Sequence, residues 1–273
     1  LSLANQKVVH VNLLEQCFQL LRKDMNNILQ VCKPVCNILD KPNGNLERQM
    51  LFGDGFECGS NTGEWVKGKR LSDGYKGYVK KDNLKNWEKS TNKICSFGAQ
   101  IYKEPNIKTV PLMNIPFQSE ITVVNDYDDF FILNNDSYIH KMHTQPISII
   151  KKDYIETAKK YLGVPYLWGG NSQYGVDCSG LVSLALRNAG YTTPGDSFDQ
   201  EKELGNKIPK NDHLKRGDLI FWEGHVGLMV DEENLLHANG HHMKVVLEPL
   251  FQVKKRIKDN NGGLVSSVNR LII

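Results

Sequence analysis

The stretch YLWGGNSQYGVDCSGLVSLALRNA, residues 166–189, decides the fold because it places a cysteine where a helix begins. Apolar residues recur with helical spacing from Leu181 to Ala189, and Gly190 follows as a residue suited to end a helix. The pattern predicts one helix from Cys178 to Gly190, with Asp177 as its N-cap. The unpaired N–H groups and the positive dipole end of a helix favour an anion there. The sequence therefore predicts a thiol pKa below that of a free cysteine.

Two histidines follow the helix in a region with the pattern of antiparallel strands. Residues 218–238 contain three short apolar runs separated by two polar turns; His225 opens the second run and His237 lies in the third. A cysteine peptidase needs an imidazole beside its thiol and a polar group to orient that imidazole. Cys178, His225 and His237 supply one candidate for each role. A buried structural cysteine with structural histidines is the alternative, and the pattern does not fix whether both histidines share a sheet face.

Five short motifs occur in the order and spacing of one family. They are Tyr166-x-Trp168-Gly-Gly, Asp177-Cys178-Ser179-Gly180, Gly217-Asp218-Leu219-Ile220-Phe221, His225-Val226-Gly227 and Leu236-His237-Ala238. Over residues 150–255 the chain resembles the NlpC-type cysteine peptidases, which are papain-like bacterial cell-wall hydrolases. The resemblance implies Cys178 as the nucleophile, His225 as the base and then the acid, and His237 as the orienting residue.

The resemblance also implies roles for the residues around the cysteine. Tyr166 is expected beside the nucleophile, where its hydroxyl assists the Cys178 backbone N–H in stabilising an oxyanion. Independently of the resemblance, ordinary aromatic packing under the helix is the alternative for Tyr166 and the expectation for Trp168. Asp177 and Ser179 are expected to help hold the α-amine of a substrate, as in family members that require a free N-terminus. The capping role of Asp177 is an equally good structural explanation of that residue.

Composition sets limits on the kind of protein. With 273 residues, 40% hydrophobic and 24% charged, and a formal net charge of +3, the chain is typical of a soluble globular protein with two or three small domains. No apolar stretch reaches the roughly 18 residues of a membrane span, and no basic stripe indicates nucleic acid. The six cysteines lack paired metal-ligand spacing, so neither a metal nor another cofactor is expected. If Cys178 stays a free thiol, five remain, which argues against full disulfide pairing.

The region before the peptidase-like part predicts a helix and two barrels. Residues 1–30 are expected to form an N-terminal helical segment, because apolar residues from Leu13 to Leu29 follow the three-four spacing of an amphipathic helix. Residues 31–90 have the turn punctuation of a β-barrel, and the runs Glu64–Lys67 and Gly74–Val79 resemble a bacterial SH3-like domain.

Residues 91–146 repeat that layout, with one central strand expected at Ser119–Val124. A linker at Gln145–Ser148 and a helix at Asp153–Leu162 then open the catalytic domain, residues 147–273. The predicted fold is multidomain: an N-terminal helix, two all-β SH3-like barrels and an α+β papain-like cysteine peptidase domain.

This domain order resembles the γ-D-glutamyl-L-diamino-acid endopeptidases of the dipeptidyl-peptidase VI type. The resemblance implies hydrolysis of the bond between γ-D-Glu and the diamino acid in peptidoglycan stem peptides or muropeptides. It also implies that the first barrel closes the cleft, so that a free N-terminal L-Ala is required. A Glu and a Tyr of that barrel help to hold the amine in such enzymes, and the candidates here are Glu47 and Tyr75. A solvated turn residue is the alternative for Glu47.

Two other functions stay open at the level of the sequence. One is a non-catalytic wall-binding protein, against which the complete Cys178, His225 and His237 set argues. The other is an amidase or acyltransferase on the same scaffold, against which the tandem barrels argue. We expect a monomer. The compartment is expected to be periplasmic or extracellular if a signal peptide has been removed, and cytoplasmic otherwise.

Overall fold

The computed structural model describes residues 27–209 and 212–271. Most of the predicted N-terminal helix lies outside these ranges. Its last two apolar residues, Ile28 and Leu29, lie in strand β1 (Ile28–Val31), so the prediction that the helix extends to Leu29 is wrong. Strand β1 has a hydrogen-bonded neighbour on each side, and this pairing overrides the local apolar spacing. No helix within the described ranges is long and apolar enough to cross a bilayer.

The first β unit is a seven-stranded sheet with the strand order β3-β2-β6-β5-β4-β1-β7. After β1 its strands are β2 (Val35–Leu39), β3 (Leu46–Leu51), β4 (Gly55–Thr62), β5 (Trp65–Arg70), β6 (Lys76–Lys80) and β7 (Leu84–Asn86). Alternate apolar side chains turn inwards and form a separate core that includes Ile38, Met50 and Phe56. The strands predicted around Trp65 and after Gly74 are confirmed as β5 and β6.

The second β unit combines a five-stranded and a three-stranded sheet, ordered β10-β9-β14-β13-β12 and β11-β8-β15. Its strands are β8 (Asn92–Ile94), β9 (Ala99–Tyr102), β10 (Met113–Ile115), β11 (Glu120–Ile121), β12 (Val123–Tyr127), β13 (Phe130–Leu133), β14 (Tyr138–His140) and β15 (Thr144–Pro146).

Two predictions for this unit are wrong in detail. The single central strand predicted at Ser119–Val124 is divided, because β11 pairs in one sheet and β12 forms an edge of the other. The predicted linker at Gln145–Ser148 is half strand, since β15 includes Gln145 and Pro146 and pairs with β8.

The third unit packs helices against a six-stranded sheet of order β18-β23-β19-β20-β21-β22. Its helices are α1 (Tyr154–Lys159), α2 (Cys178–Asn188), α3 (Ser197–Glu203) and α4 (Leu250–Asp259). Its strands are β16 (Asn171–Ser172), β17 (Gly175–Val176), β18 (Asn206–Ile208), β19 (Leu219–Trp222), β20 (His225–Met229), β21 (Asn234–Asn239), β22 (Lys244–Pro249) and β23 (Ser267–Arg270).

The predicted helices of this unit are confirmed with shorter ends. Helix α2 begins at Cys178 and ends at Asn188, and Gly190 follows with φ +88°, in the left-handed region that suits a helix end. Helix α1 has Asp153 as its N-cap and stops at Lys159, three residues before the predicted end. The three antiparallel strands predicted for residues 218–238 are present as β19, β20 and β21.

Helix α2 also holds the three units together. Nη2 of Arg187, near its C-terminus, donates to Oδ1 of Asp54 at 2.8 Å and to Oε1 of Glu120 at 2.9 Å. Those two carboxylates belong to the first and second β units. Near the other end of the helix, Gly169 lets the first barrel approach closely, because a Cβ there would lie 2.6 Å from the carbonyl oxygen of Glu47.

Candidate active site

Cys178 lies in the first turn of α2, as predicted, and its side chain is almost completely buried. Asp177 caps the helix: its Oδ1 accepts from the N–H of Gly180 at 2.5 Å, and its Oδ2 accepts from the N–H of Gly169 at 2.9 Å. The Cys178 sulfur lies 4.0 Å from the carbonyl oxygen of Gly224. The thiol therefore lies against the backbone of the turn between β19 and β20, at the residue that precedes His225.

The two predicted histidines lie together on one face of the sheet. Leu228 pairs with Leu236 across β20 and β21, and His225 and His237 are each an odd number of residues away, so both point to the opposite face from the leucines. Nε2 of His225 lies 2.7 Å from Nδ1 of His237. The register that the sequence left open thus brings the pair into hydrogen-bonding contact.

A carboxylate that the sequence did not single out continues this chain of contacts. Oε1 of Glu248, on β22, lies 2.8 Å from Nε2 of His237. Arg256 of α4 donates to both carboxylate oxygens, from Nη1 at 2.7 Å and from Nη2 at 2.5 Å. Burial opposes ionisation of Glu248, but the hydrogen bonds from His237 and Arg256 prevail and lower its pKa. Glu248 is therefore an ionised acceptor.

The ionised carboxylate sets the proton positions on both rings. Because Glu248 only accepts, Nε2 of His237 carries the proton between them. Burial lowers the pKa of His237, so the ring is neutral at pH 7 and its Nδ1 is bare. That nitrogen must accept from Nε2–H of His225. Burial also lowers the pKa of His225, to about 3, which leaves Nδ1 of this second neutral ring as a free base.

Asn239 is a competing neighbour of the same imidazole nitrogen. Its Nδ2 lies 3.1 Å from Nε2 of His237, and its Oδ1 accepts from the backbone N–H of His242. An amide donor here favours the opposite tautomer of His237. The Glu248 contact is shorter and charge-assisted, and such bonds are roughly twice as strong as neutral ones. The carboxylate therefore decides the tautomer.

The pKa of the thiol differs from the sequence prediction. Burial raises the pKa of Cys178 to about 12, and the Asp177 carboxylate adds to the rise. Backbone N–H groups of Val226 and Ser179 and the charge of Arg48 act in the opposite direction and are outweighed. The prediction of a lowered pKa is wrong because it counted the helix N-terminus and neither the burial nor the neighbouring anion. Thiol and imidazole are both neutral at rest, so a reaction in which the sulfur acted as a nucleophile would require the thiol proton to leave during the attack.

The two aromatic residues before the cysteine have different positions. Tyr166 is half-buried; burial raises its pKa to about 12, and the neighbouring Cys178 and Asp177 contribute to the rise. Its hydroxyl therefore stays protonated beside the sulfur and can donate to an anion. Trp168 is 66% exposed, so the prediction that it packs under the helix is wrong. The adjacent Gly169 has φ +68°, and the tight turn there leaves the indole in solvent.

Glu47 and Tyr75 of the first barrel lie beside a second carboxylate, that of Asp196, which the sequence did not predict. The hydroxyl of Tyr75 lies 3.3 Å from Oε2 of Glu47 and 3.4 Å from Oδ1 of Asp196, which precedes α3. One phenolic proton can serve only one of these carboxylates at a time. Burial raises the pKa of Asp196, which is the expected response of a carboxylate that lacks a full counter-charge.

A buried arginine joins this cluster to the helix of Cys178. Arg48 is completely buried; its Nη1 donates to Oγ of Ser179 at 3.0 Å and lies 3.7 Å from Oδ1 of Asp177. Oγ of Ser179 in turn donates to Asp177 at 3.1 Å. The charge of Arg48 thus acts on the carboxylates of Asp177 and Asp196, and Tyr75 connects Asp196 to Glu47. The cluster is suited to receive one further cation.

Sequence reasoning missed Asp196, Arg48 and Glu248. Each lies in a strand or loop whose local pattern does not distinguish it from a surface residue, and each acquires its role through a contact with a distant element. For Glu248, the sequence offered one signal of a special position: the carboxylate follows the apolar pair Val245-Val246 by two residues in the same strand. Among the described residues, no group of three or more His, Cys, Asp and Glu side chains is arranged to hold a metal ion.

Comparisons with known proteins agree with this architecture. Residues 163–258 match the model of the NlpC/P60 family, and residues 38–84 match that of the bacterial dipeptidyl-peptidase Sh3 domain. The γ-D-glutamyl-L-lysine dipeptidyl-peptidase of Bacillus subtilis (strain 168) is 31% identical over 215 residues, covering 71% of this chain and 72% of that protein.

Two further similarities are more limited. Dipeptidyl-peptidase 6 of Lysinibacillus sphaericus is 33% identical over 101 residues, which is 36% of this chain and 35% of that protein. A crystal structure of an NlpC/P60 family protein from Bacillus cereus ATCC 10987 superposes with a TM-score of 0.75, at 20% identity, over 90% of this chain and 100% of that one. At this identity, the superposition shows a shared fold.

Proposed function

The chain belongs to the NlpC/P60 family of peptidoglycan-cleaving cysteine peptidases, and we propose that it hydrolyses the bond between γ-D-Glu and an L-diamino acid in stem peptides whose N-terminal L-Ala is free. The names of its relatives, which include two γ-D-glutamyl-L-lysine dipeptidyl-peptidases, support the bond. The carboxylate cluster around Arg48 supports the preference for a free amine.

In this proposal Cys178 is the nucleophile and His225 its base. As the sulfur attacks the γ-carbonyl carbon, the thiol proton moves to Nδ1 of His225, the bare nitrogen of the neutral ring. The resulting oxyanion receives hydrogen bonds from the Cys178 backbone N–H and the hydroxyl of Tyr166. His225 then gives its proton to the leaving amine, and a thioester remains.

Hydrolysis of the thioester completes the cycle. A water molecule gives a proton to His225 and attacks the thioester carbonyl, and the sulfur leaves and recovers its proton from the ring. L-Ala-γ-D-Glu departs with a free carboxylate. His237 keeps the His225 ring in one orientation through both half-reactions, because their 2.7 Å hydrogen bond fixes its Nε2 edge.

The observation that carries the preference for a free amine is the position of Tyr75 between Glu47 and Asp196. An ammonium group placed there would have two carboxylates as partners, with Asp177 and Ser179 nearby. An N-acetylated substrate brings no charge, so it would lose the attraction to Glu47 and Asp196 that the free amine gains. The barrel thus supplies specificity for short peptides with a free end.

The domain division belongs to the same proposal. We assign residues 31–90 and 91–146 to two SH3-like domains and residues 147–273 to the peptidase domain. The family match over residues 38–84 supports the first assignment. The separate strand order and separate apolar core of the second β unit support the second.

The direct test is mass-spectrometric analysis of L-Ala-γ-D-Glu-L-Lys and its diaminopimelate analogue after incubation with wild type and with Cys178→Ala. We expect L-Ala-γ-D-Glu from the wild type alone. The N-acetylated peptides are the matched comparison, and they should be cleaved far more slowly. Equal cleavage of free and acetylated peptides would refute the amine site, and no cleavage of any peptide would favour a wall-binding function.

A further inference from the structure

A cavity of about 270 Å³ lies beside the two histidines and contains no residue of the first barrel. Its lining includes Trp222, Glu223, His225, His237 and Asn260. The volume is below the roughly 300–1,000 Å³ of sites that bury drug-sized ligands. It suits a single amino-acid residue.

The position of this cavity relates it to the leaving group. The amine that departs must lie within hydrogen-bonding reach of His225, because that ring returns the proton to it. The acyl half of the peptide is directed towards Glu47 and Tyr75 of the barrel. The cavity is lined by His225 and by no residue of the barrel, so it is the candidate position for the residue after the scissile bond.

The polar groups of the cavity have free bonding capacity. Trp222 is 2% exposed, and its Nε1–H has no hydrogen-bond partner within the described residues. A buried donor without a partner carries a free-energy cost that a ligand oxygen would remove. Asn260 adds a carboxamide at the end of α4, next to the cavity.

The charge in the cavity points to a cationic ligand group. Glu223 is exposed in the turn between β19 and β20, and no hydrogen bond or ion pair engages its carboxylate among the described residues. The neighbouring guanidinium of Arg256 is already bound by both oxygens of Glu248. The cavity thus has one carboxylate without a counter-ion, beside the apolar faces of Trp222 and Ile257.

We propose that this cavity is the subsite for the diamino acid that leaves, and that Glu223 binds its side-chain ammonium while Nε1–H of Trp222 donates to its α-carboxylate. The inference rests on the proposed function and names the specificity of the same site. The apolar faces hold the methylene stem of lysine. Diaminopimelate carries an additional carboxylate next to its distal ammonium, and Glu223 repels it, so the site selects lysine.

The first test compares peptides that differ only at the distal ammonium. For L-Ala-γ-D-Glu-L-Lys and the analogue ending in L-norleucine, we expect a preference for lysine in kcat/KM of about fivefold, the upper range for an exposed ion pair. Glu223→Gln should abolish this preference and leave norleucine cleavage unchanged. Glu232→Gln, an exposed acid outside the cavity, is the matched control. A lysine preference that persists in Glu223→Gln, or disappears equally in Glu232→Gln, would overturn the proposal.

The second test does not depend on catalysis. Free L-lysine, added to the ¹⁵N-labelled protein, should shift the indole N–H signal of Trp222, assigned with Trp222→Phe, at concentrations where L-norleucine does so less. Cleavage of both peptides without any shift would reject the subsite and keep the proposed function. A lysine-dependent shift without cleavage would reject the proposed function, and would leave a lysine-binding cavity that is not the subsite of this reaction.

Discussion

Replacement of Glu248 by glutamine tests the chain of hydrogen bonds that leaves Nδ1 of His225 free. The substitution keeps the shape of the side chain but removes its charge, and the new amide can donate to Nε2 of His237 instead of accepting from it. A donated bond reverses the tautomer of His237 and, through the 2.7 Å contact, that of His225. Nδ1 of His225 would then carry a proton and could not accept another from Cys178.

The size of the effect follows from the bonds involved. A hydrogen bond to a charged group contributes roughly 1.5–3 kcal/mol, and the productive tautomer loses this stabilisation in Glu248→Gln. At about 1.4 kcal/mol per factor of ten, kcat should fall about 10- to 150-fold. KM for the free tripeptide should change little, because Glu248 makes no contact with Tyr75 or Glu47, where we propose that the amine binds.

The assay is steady-state hydrolysis of L-Ala-γ-D-Glu-L-Lys, with ¹⁵N chemical shifts of the histidine rings as an independent measure of the tautomer. Glu233→Gln, which removes an exposed carboxylate just before β21, is the matched control. Thermal unfolding of each variant separates a catalytic defect from loss of folded protein. A kcat within threefold of the wild type, or unchanged ring shifts, would refute the assignment of the tautomers to Glu248.

Three further outcomes are expected. Arg48→Met leaves Asp177 without its buried partner and should lower the free energy of unfolding by about 3–5 kcal/mol, measured by urea denaturation; a loss below 1 kcal/mol would contradict the role given to this residue. The pKa values of His225 and His237 are lowered in the folded protein, so below about pH 6.5 the unfolded chain binds protons that the native state does not, and the free energy of unfolding falls with acid. With the His225 pKa of about 3, this residue accounts for a loss of about 2 kcal/mol at pH 5. A free energy of unfolding that stays constant between pH 7 and pH 5 would argue for charged histidines in the native state. Alkylation of Cys178 by iodoacetamide should still accelerate above pH 9, because burial raises the thiol pKa to about 12; a plateau below pH 7 would instead indicate a thiolate-imidazolium pair.

The features that local sequence determines were predictable. The apolar spacing after Cys178 predicted helix α2, the residue type of Asp177 predicted its cap, and the apolar runs around His225 predicted three antiparallel strands; all three are present. These patterns depend on neighbours within one turn or one hairpin. The likeness to a known family added Glu47 and Tyr75, which the structure brings into contact with each other.

The features that depend on distant contacts were not predictable. Arg48 and Asp196 acquire their roles only when the first barrel meets the peptidase unit. The pKa of Cys178 also depends on distant contacts, and here the local and the distant effect can be compared in size. A helix N-terminus stabilises a charge by about 0.3–1 kcal/mol at a typical site. The rise from 9.0 to about 12 corresponds to about 4 kcal/mol against the thiolate, and it depends on burial that no local pattern reveals.

The contacts of Arg187 have a consequence for the order in which the molecule is assembled during synthesis. Asp54 and Glu120 leave the ribosome well before the helix whose guanidinium joins them, and domains generally fold as they emerge. Both carboxylates therefore have no ion-pair partner in Arg187 until α2 has been synthesised and its guanidinium can bind the two β units. Cys178 belongs to that same helix, so the order of synthesis places the candidate active site in the chain only after both β units have been made.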